Sequence, residues 1–189
     1  MKTPAIRRRR GFTLIELLVV IAIIAVLAAA GFAAGNAAIN RARKVTAQAA
    51  AVAIEQAVNS FYNEYGSLPD VGGNKVNTSD STGVELLKVL LGQEGTGTNV
   101  QNPRGIRFLS VKEGKGNKNG LIYTAGGNTV RGLYDPWGGG YNVVLDTEYE
   151  EKVQVQLGSA STTLNGRRVA VYSEGADKKA GGNDDVKTW

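Results

Sequence analysis

The residues of this chain best placed to do chemistry are three carboxylates in its glycine-rich end, Asp177, Asp184 and Asp185 within YSEGADKKAGGNDDVKTW. Glycines let a short loop fold back so that side-chain and backbone oxygens converge, and six to eight oxygens at about 2.3–2.6 Å suit Ca²⁺. The stretch is not an EF-hand, because the flanking helices and the twelve-residue spacing are missing. By composition alone, a solvated acidic tail fits these residues better than a cation site. A further carboxylate stands apart. Glu16 lies in RRRRGFTLIELLVVIAIIAVLAAAG, residues 7–31, inside an apolar run that contains no basic residue. Leaving it unpaired in an apolar medium costs several kcal/mol.

Composition narrows the chemistry further. The 189 residues include no histidine and no cysteine, which removes the usual general base, the commonest metal ligand, disulfides and thiolate zinc sites. A membrane-anchored hydrolase using Asp177 and Asp184 with a catalytic metal is a remote alternative, since a glycine loop closed over an ion leaves no open position for water or substrate. The net charge of +5 is concentrated in Lys2 and Arg7–Arg10, and the rest of the chain carries 17 basic and 17 acidic residues. A nucleic-acid binder carries its excess on the folded domain, so no nucleic-acid partner is expected.

These residues need elements to position them. Leu17–Gly35 is 19 residues without a charge, enough to span a bilayer core of roughly 30 Å. The basic flank predicts a cytoplasmic amino terminus and an exported remainder. A cleavable secretory signal has an apolar core of about 7–15 residues; this one is longer and runs into a helical pattern without a turn. Asn36–Tyr65 has no proline or glycine, so the helix continues. Val45, Ala49 and Val52 form one stripe on it, and Ile54, Val58, Phe61 and Tyr65 form another, as suits a helix facing its own domain on one side and neighbouring subunits on the other. Arg41, Arg43 and Lys44 read as solvated boundary charges. Gly66 and Pro69 end the helix.

A second helix is expected over Val84–Leu91, with Thr82 as cap and Glu85 in the capping-box position. GQEGTGTNVQNPRG is a polar loop without the setting of a phosphate cradle. Strands are expected at Ile106–Val111, Leu121–Thr124, Tyr141–Leu145, Val153–Leu157 and Val169–Ser173, with Tyr141–Leu145 and Val153–Leu157 joined as a hairpin through DTEYEEK. Three strands on the carboxyl half of the long helix give an α+β fold with one apolar sheet face against that helix. In DPWGGGYNVV, Asp135 opens a turn set by Pro136 and Gly138, with Trp137 covering the edge of the core.

GFTLIELLVVIAI resembles the class III signal of type IV prepilins and type II secretion pseudopilins. The resemblance implies a leader, Met1–Gly11, cut after Gly11 by a prepilin peptidase, and N-methylation of Phe12. It also implies that Glu16 of an incoming subunit pairs with the Phe12 amine of a neighbour in the filament; a glutamate that snorkels to headgroups or stays protonated is the alternative. DPWG resembles the segment leading into the sheet of major pseudopilins. The chain's end resembles their Ser-x-Gly-Ala-Asp…Gly-Gly…Asp-x-x-x-Trp sequence, which wraps a structural Ca²⁺.

By position, Asp177 and Asp184 match carboxylate ligands, Asp185 is a further ligand or the acid of the closing motif, and the Glu174 backbone carbonyl matches a main-chain ligand. Glu174 replaces the usual apolar residue, and the loop between Gly182 and Asp185 is shortened. The resemblance covers residues 7 to about 70 and 135–189, and residues 92–134 read as an insertion.

The implied architecture is type IV pilin-like. It has a leader (1–11), a transmembrane and filament-core helix (12–35), its soluble continuation (36–66), a loop, short helix and insertion (67–134), and a β-sheet with a calcium loop (135–189). The implied role is that of a major pseudopilin, with a surface type IV pilin as the alternative; many such pilins carry a carboxyl-terminal disulfide that this chain cannot form. The implied partners are copies of itself, minor pseudopilins, the prepilin peptidase, an inner-membrane assembly platform and an assembly ATPase. The implied location is the inner membrane, single-pass, with the carboxyl-terminal domain in the periplasm.

Overall fold

A computed structural model of the chain describes residues 11–189, and the leader residues expected to be removed lie outside this range except for Gly11. Helix α1 runs over Leu14–Tyr65, and the chain divides into two compact units after Arg41. In the first unit the helix is bare: Phe12, Leu14, Ile15, Ile21, Ile24 and Leu27 are all more than half exposed. Among the described residues, no helix is long and apolar enough to cross a membrane. The expected transmembrane helix and the single-pass inner-membrane location with a periplasmic domain are corrected by this finding.

The second unit is an α+β domain in which a long helix packs on a small antiparallel sheet. From Ala47 onward α1 buries Ala51, Ile54, Ala57, Val58 and Phe61, while Val45 stays 63% exposed. The Ile54 stripe therefore faces the core and the Val45 stripe does not. Gly66, at φ +73°, accepts the turn that ends the helix and donates its amide to the Tyr62 carbonyl.

After β1 (Lys75–Asn77), helix α2 spans Ser81–Leu91. Its N-cap is Asp80, which makes no side-chain cap, and Thr82 sits inside the first turn rather than capping it. Gly92 closes the helix in the left-handed region, bonded back to the Lys88 and Val89 carbonyls. At Gly83 a Cβ would collide with the Asn77 carbonyl, so α2 lies directly on the chain leaving β1.

The main sheet has the order β1-β4-β7-β8, all antiparallel, where β4 is Asn142–Leu145, β7 is Val169–Ser173 and β8 is Val186–Lys187. β4 and β7 are buried on both faces. Alternation sorts their side chains: Val143, Leu145, Val169 and Val171 join the helical core, whereas Val144, Ala170 and Tyr172 face the other way. That second face is covered by Val153, Val155 and Leu157 of β5 (Lys152–Leu157), which pairs with β6 (Ala160–Asn165). β2 (Gly120–Tyr123) and β3 (Val130–Tyr134) form a separate hairpin.

Two expected features are absent. Tyr141–Leu145 and Val153–Leu157 do not pair as a hairpin: β4 lies between β1 and β7, and β5 pairs with β6. The Asp146 carboxylate explains the break, because it accepts the amides of Glu150 and Glu151 at 3.2 and 2.6 Å and coils the connection locally. Ile106–Val111 is not a strand either. The amides of Phe108 and Leu109 both bond to the Leu90 carbonyl at the end of α2, so this segment is held by a helix terminus, not by a ladder.

Candidate functional site

The amino-terminal candidates are Gly11, Phe12 and Glu16. Gly11 has open space around it and Phe12 is exposed, so the Gly11–Phe12 bond precedes α1 uncovered. Glu16 is not an isolated charge within its own helix. Its Oε2 accepts the Thr13 amide and the Thr13 hydroxyl, each at 2.8 Å, and its own amide donates to Thr13 Oγ1 at 3.3 Å. This is a reciprocal capping box, Thr13-x-x-Glu16, that satisfies free amides at the start of the helix. The signal was in the sequence, in the Thr-x-x-Glu spacing ahead of an apolar run.

The carboxyl-terminal candidates are Glu174, Asp177, Asp184 and Asp185. Their loop is a set of carboxylate caps. Asp184 Oδ2 accepts the amides of Ala176 at 2.6 Å and Asp177 at 3.0 Å, and Asp177 Oδ1 accepts the Lys179 amide at 2.9 Å. Asp185 Oδ2 accepts the Gly181 amide at 2.8 Å and lies 3.6 Å from Lys187 Nζ, while its buried Oδ1 has no partner. The Glu174 side chain takes a long bond, 3.4 Å, from Asn142. Among the described residues no group of three or more acidic, histidine or cysteine side chains is arranged to hold a metal ion. The expected Ca²⁺ site is corrected accordingly: Asp177, Asp184 and Asp185 each turn one oxygen onto amides of the loop, which does by hydrogen bonding the folding-back that the glycines permit.

The loop also reaches α1, through Lys44 Nζ donating to the Asn183 carbonyl at 3.0 Å and Gln48 Nε2 donating to the Lys187 carbonyl at 2.8 Å. Lys44, read from the sequence as a solvated boundary charge, is thus a tether for the carboxyl end. The Asp177 amide, with the Asp184 and Ala176 amides and the Lys44 charge adding to it, holds the Asp184 carboxyl below the usual carboxylate range against opposing desolvation. A carboxyl whose pKa is lowered by folding stabilises the fold above its unfolded value, about 3.9, and loses that contribution as pH falls through the folded value. Asp184→Asn is therefore expected to melt below the wild type at pH 6, and thermal unfolding followed down to pH 2 should bring the two curves together.

Asp135, Pro136, Trp137 and Gly138 form a turn between β3 and β4. Asp135 Oδ1 accepts the amides of Trp137 at 2.8 Å and Gly139 at 2.9 Å, Gly138 takes φ +92°, and Trp137 packs half-buried on the helical core. Ser173, at the end of β7, donates its hydroxyl to Asp135 Oδ2 at 2.5 Å. Burial, with the Asp135 charge adding, pushes the neighbouring Tyr141 phenol above its ordinary pKa. Ser173 was not foreseen as a partner, because nothing in the spacing of a 38-residue separation announces it.

The sequence has no histidine or cysteine, and among the described residues no group of acidic side chains is arranged to hold a metal ion. No curated protein and no solved structure matches it. The prokaryotic N-terminal methylation motif matches residues 6–32, a prepilin-type signal consistent with the broad superfamily of type IV pilins and pseudopilins.

Proposed function

We propose that this chain is the structural subunit of a helical filament and, within that class, the major pseudopilin of a type II secretion system. The observation that carries the reading is the methylation motif at the head of one helix. That helix exposes large apolar side chains over its first turns and is buried in a small α+β domain near its end. A contiguous apolar surface of that length calls for partners, and copies of the same segment supply one. On this reading a prepilin peptidase cuts after Gly11, Phe12 becomes the methylated terminus, and Glu16 pairs with that amine on a neighbouring copy. Minor pseudopilins, an assembly platform and an assembly ATPase are the further partners. The absence of cysteine and the Asp135–Gly138 segment favour secretion over a surface pilus; the carboxyl-terminal loop no longer adds support through calcium.

Mass spectrometry of the protein from cells that hold the peptidase tests the assignment. The expected product starts at Phe12 and carries one methyl group on its amine. An intact leader, or a cut at another bond, overturns it. A secretin gene beside this one supports secretion, whereas a retraction-ATPase gene transfers the chain to a surface pilus.

A further inference from the structure

Val45 and Ala49, on the stripe of α1 that stays off the core, form one wall of a groove with Ala50 and Ala53. The groove lies within the second unit and has a volume of about 430 Å³, in the range of small-molecule sites. Four short side chains over about two turns of helix leave it open, and the wall they make is apolar. Thr46, the one hydroxyl on that wall, is already bonded to the Ala42 carbonyl at 3.0 Å. The facing wall is of the opposite kind. It is lined by Ser110, Lys112, Asn119, Tyr134 and Tyr141, all of which carry hydrogen-bond donors. Gly120 holds these residues together: it pairs with Tyr134 across the β2–β3 hairpin, and a Cβ on it would strike the Lys112 carbonyl.

Tyr141 points to a ligand most directly. It is 1% exposed, and its hydroxyl is neither bonded to any described residue nor sealed from solvent, so it opens on the groove. Burial keeps the phenol protonated, which leaves it a donor. Lys112 is the one charged residue in the lining and forms no ion pair among the described residues. The neighbouring carboxylates do not answer it. Glu113 follows it in the chain but is exposed and outside the lining, and Asp135, beside Tyr141, gives its oxygens to Trp137, Gly139 and Ser173. Lys115 and Lys118 follow in the turn that ends at Gly120, closed by the Lys115 amide on the Lys118 carbonyl, so this rim carries three lysines against one glutamate.

A wall of donors with a net positive charge, set against an apolar wall, is complementary to an anion on an apolar body. We propose that the groove binds a free fatty-acid anion, with its carboxylate on the Lys112 side and its chain along Val45, Ala49 and Ala53. One lysine in the lining balances one negative charge, which favours a monocarboxylate over a phospholipid, and about 430 Å³ suits a single acyl chain. Each methylene buried tightens binding roughly fourfold, so the apolar wall supplies most of the affinity and the donors select the head group. The site belongs to the second unit alone and does not depend on the proposed function.

The test uses the full-length protein in a rigid sterol-based detergent, with a photoactivatable diazirine analogue of dodecanoate as probe and mass spectrometry of the labelled peptides. Labelling is expected within residues 45–53 and 110–120, displaced by dodecanoate and not by dodecylammonium. Decanoate, two methylenes shorter, should compete roughly tenfold less well. Ala49→Phe, on the exposed side of α1, fills the groove and should abolish the labelling. Tyr141→Phe should weaken it several-fold while the melting temperature stays level or rises, because a buried hydroxyl without a partner adds nothing to the fold. A tyrosine with a merely structural role would do the reverse. Lys112→Glu should turn the preference from dodecanoate to dodecylammonium. Labelling confined to the apolar helix before Ala42, undiminished labelling of Ala49→Phe, or equal competition by dodecylammonium overturns the proposal. So does displacement by lauroyl lysophosphatidylglycerol and not by dodecanoate, which makes the ligand a phospholipid. An unlabelled wild type whose self-association is lost in Ala49→Phe overturns it too, and gives the groove to a second copy.

Discussion

Replacing Asp135 by alanine is expected to lower the unfolding free energy by about 3–5 kcal/mol, because it takes the acceptor from three donors at once. Asp135 is 1% exposed, and its two oxygens serve three donors, the Trp137 and Gly139 amides and the Ser173 hydroxyl. Alanine leaves the buried Ser173 hydroxyl and the part-buried Trp137 and Gly139 amides without this acceptor, at about 1–3 kcal/mol for each that water cannot reach. The carboxylate also ties separate parts of the fold together. Its amides belong to the turn entering β4, and its hydroxyl partner ends β7, so losing it loosens the turn from the strand next to β4. Asp135→Asn can keep both amide bonds through its oxygen, but then turns an NH₂ group toward Ser173, whose oxygen already accepts the Gly175 amide at 3.2 Å. A smaller loss follows, about 1–2 kcal/mol, similar to that of Ser173→Ala. Urea unfolding of the three variants checks the order. If Asp135→Ala falls within about 0.5 kcal/mol of wild type, the range of an ordinary surface substitution, the carboxylate does not hold this turn.

The parts of the fold that were legible are those whose signal is long and local. The helix over Asn36–Tyr65 was readable from the lack of glycine and proline, and the strands near Tyr141, Val153 and Val169 from their β-branched runs. The parts that were not legible depend on partners far away in the chain. β1 and β8 are too short to carry a period, and exist only because β4 and β7 offer them an edge. β4 and β5 looked like a hairpin because they are adjacent in sequence, but the caps on Asp146 and the two-faced burial of β4 placed them in different sheets. β6 was missed because Ser161, Thr162 and Thr163 lack an apolar alternation; the Gly158-Ser159 pair between Leu157 and Ala160 was the available hairpin signal.

At the carboxyl end the sequence disclosed a loop rich in glycine and acid, and both a cation and a set of amides satisfy that pattern. Side-chain direction separates them, and composition does not encode it. Asp177 Oδ1 turns to the Lys179 amide, Asp184 Oδ2 to those of Ala176 and Asp177, and Asp185 Oδ2 to that of Gly181.

Glu16→Ala is expected to abolish filaments while leaving cleavage after Gly11 and methylation of Phe12 intact. The structure makes this a sharper experiment than the sequence alone does, because Glu16 already has a role within its own helix, as acceptor of the Thr13 amide and hydroxyl. A defect in Glu16→Ala could therefore come from a frayed helix start or from a missing intermolecular partner. Two further variants separate these causes. Thr13→Ala removes the hydroxyl and its bonds but keeps a backbone amide for Glu16, so the helix start weakens by about 1 kcal/mol and the carboxylate remains available to a neighbour. Filaments should form. Glu16→Gln keeps an acceptor for the Thr13 amide but removes the charge, so the start of the helix stays capped while the pairing with a terminal amine is lost. An amine left opposite a neutral partner in a low-dielectric contact costs about 3–5 kcal/mol per docking event, enough to stop assembly. Electron microscopy of sheared filaments, with mass spectrometry of the processed subunit as a control, reads both steps. Filaments from Glu16→Gln, or their loss in Thr13→Ala, would assign Glu16 to its own helix alone; filaments in Thr13→Ala and none in either Glu16 variant place its charge between subunits.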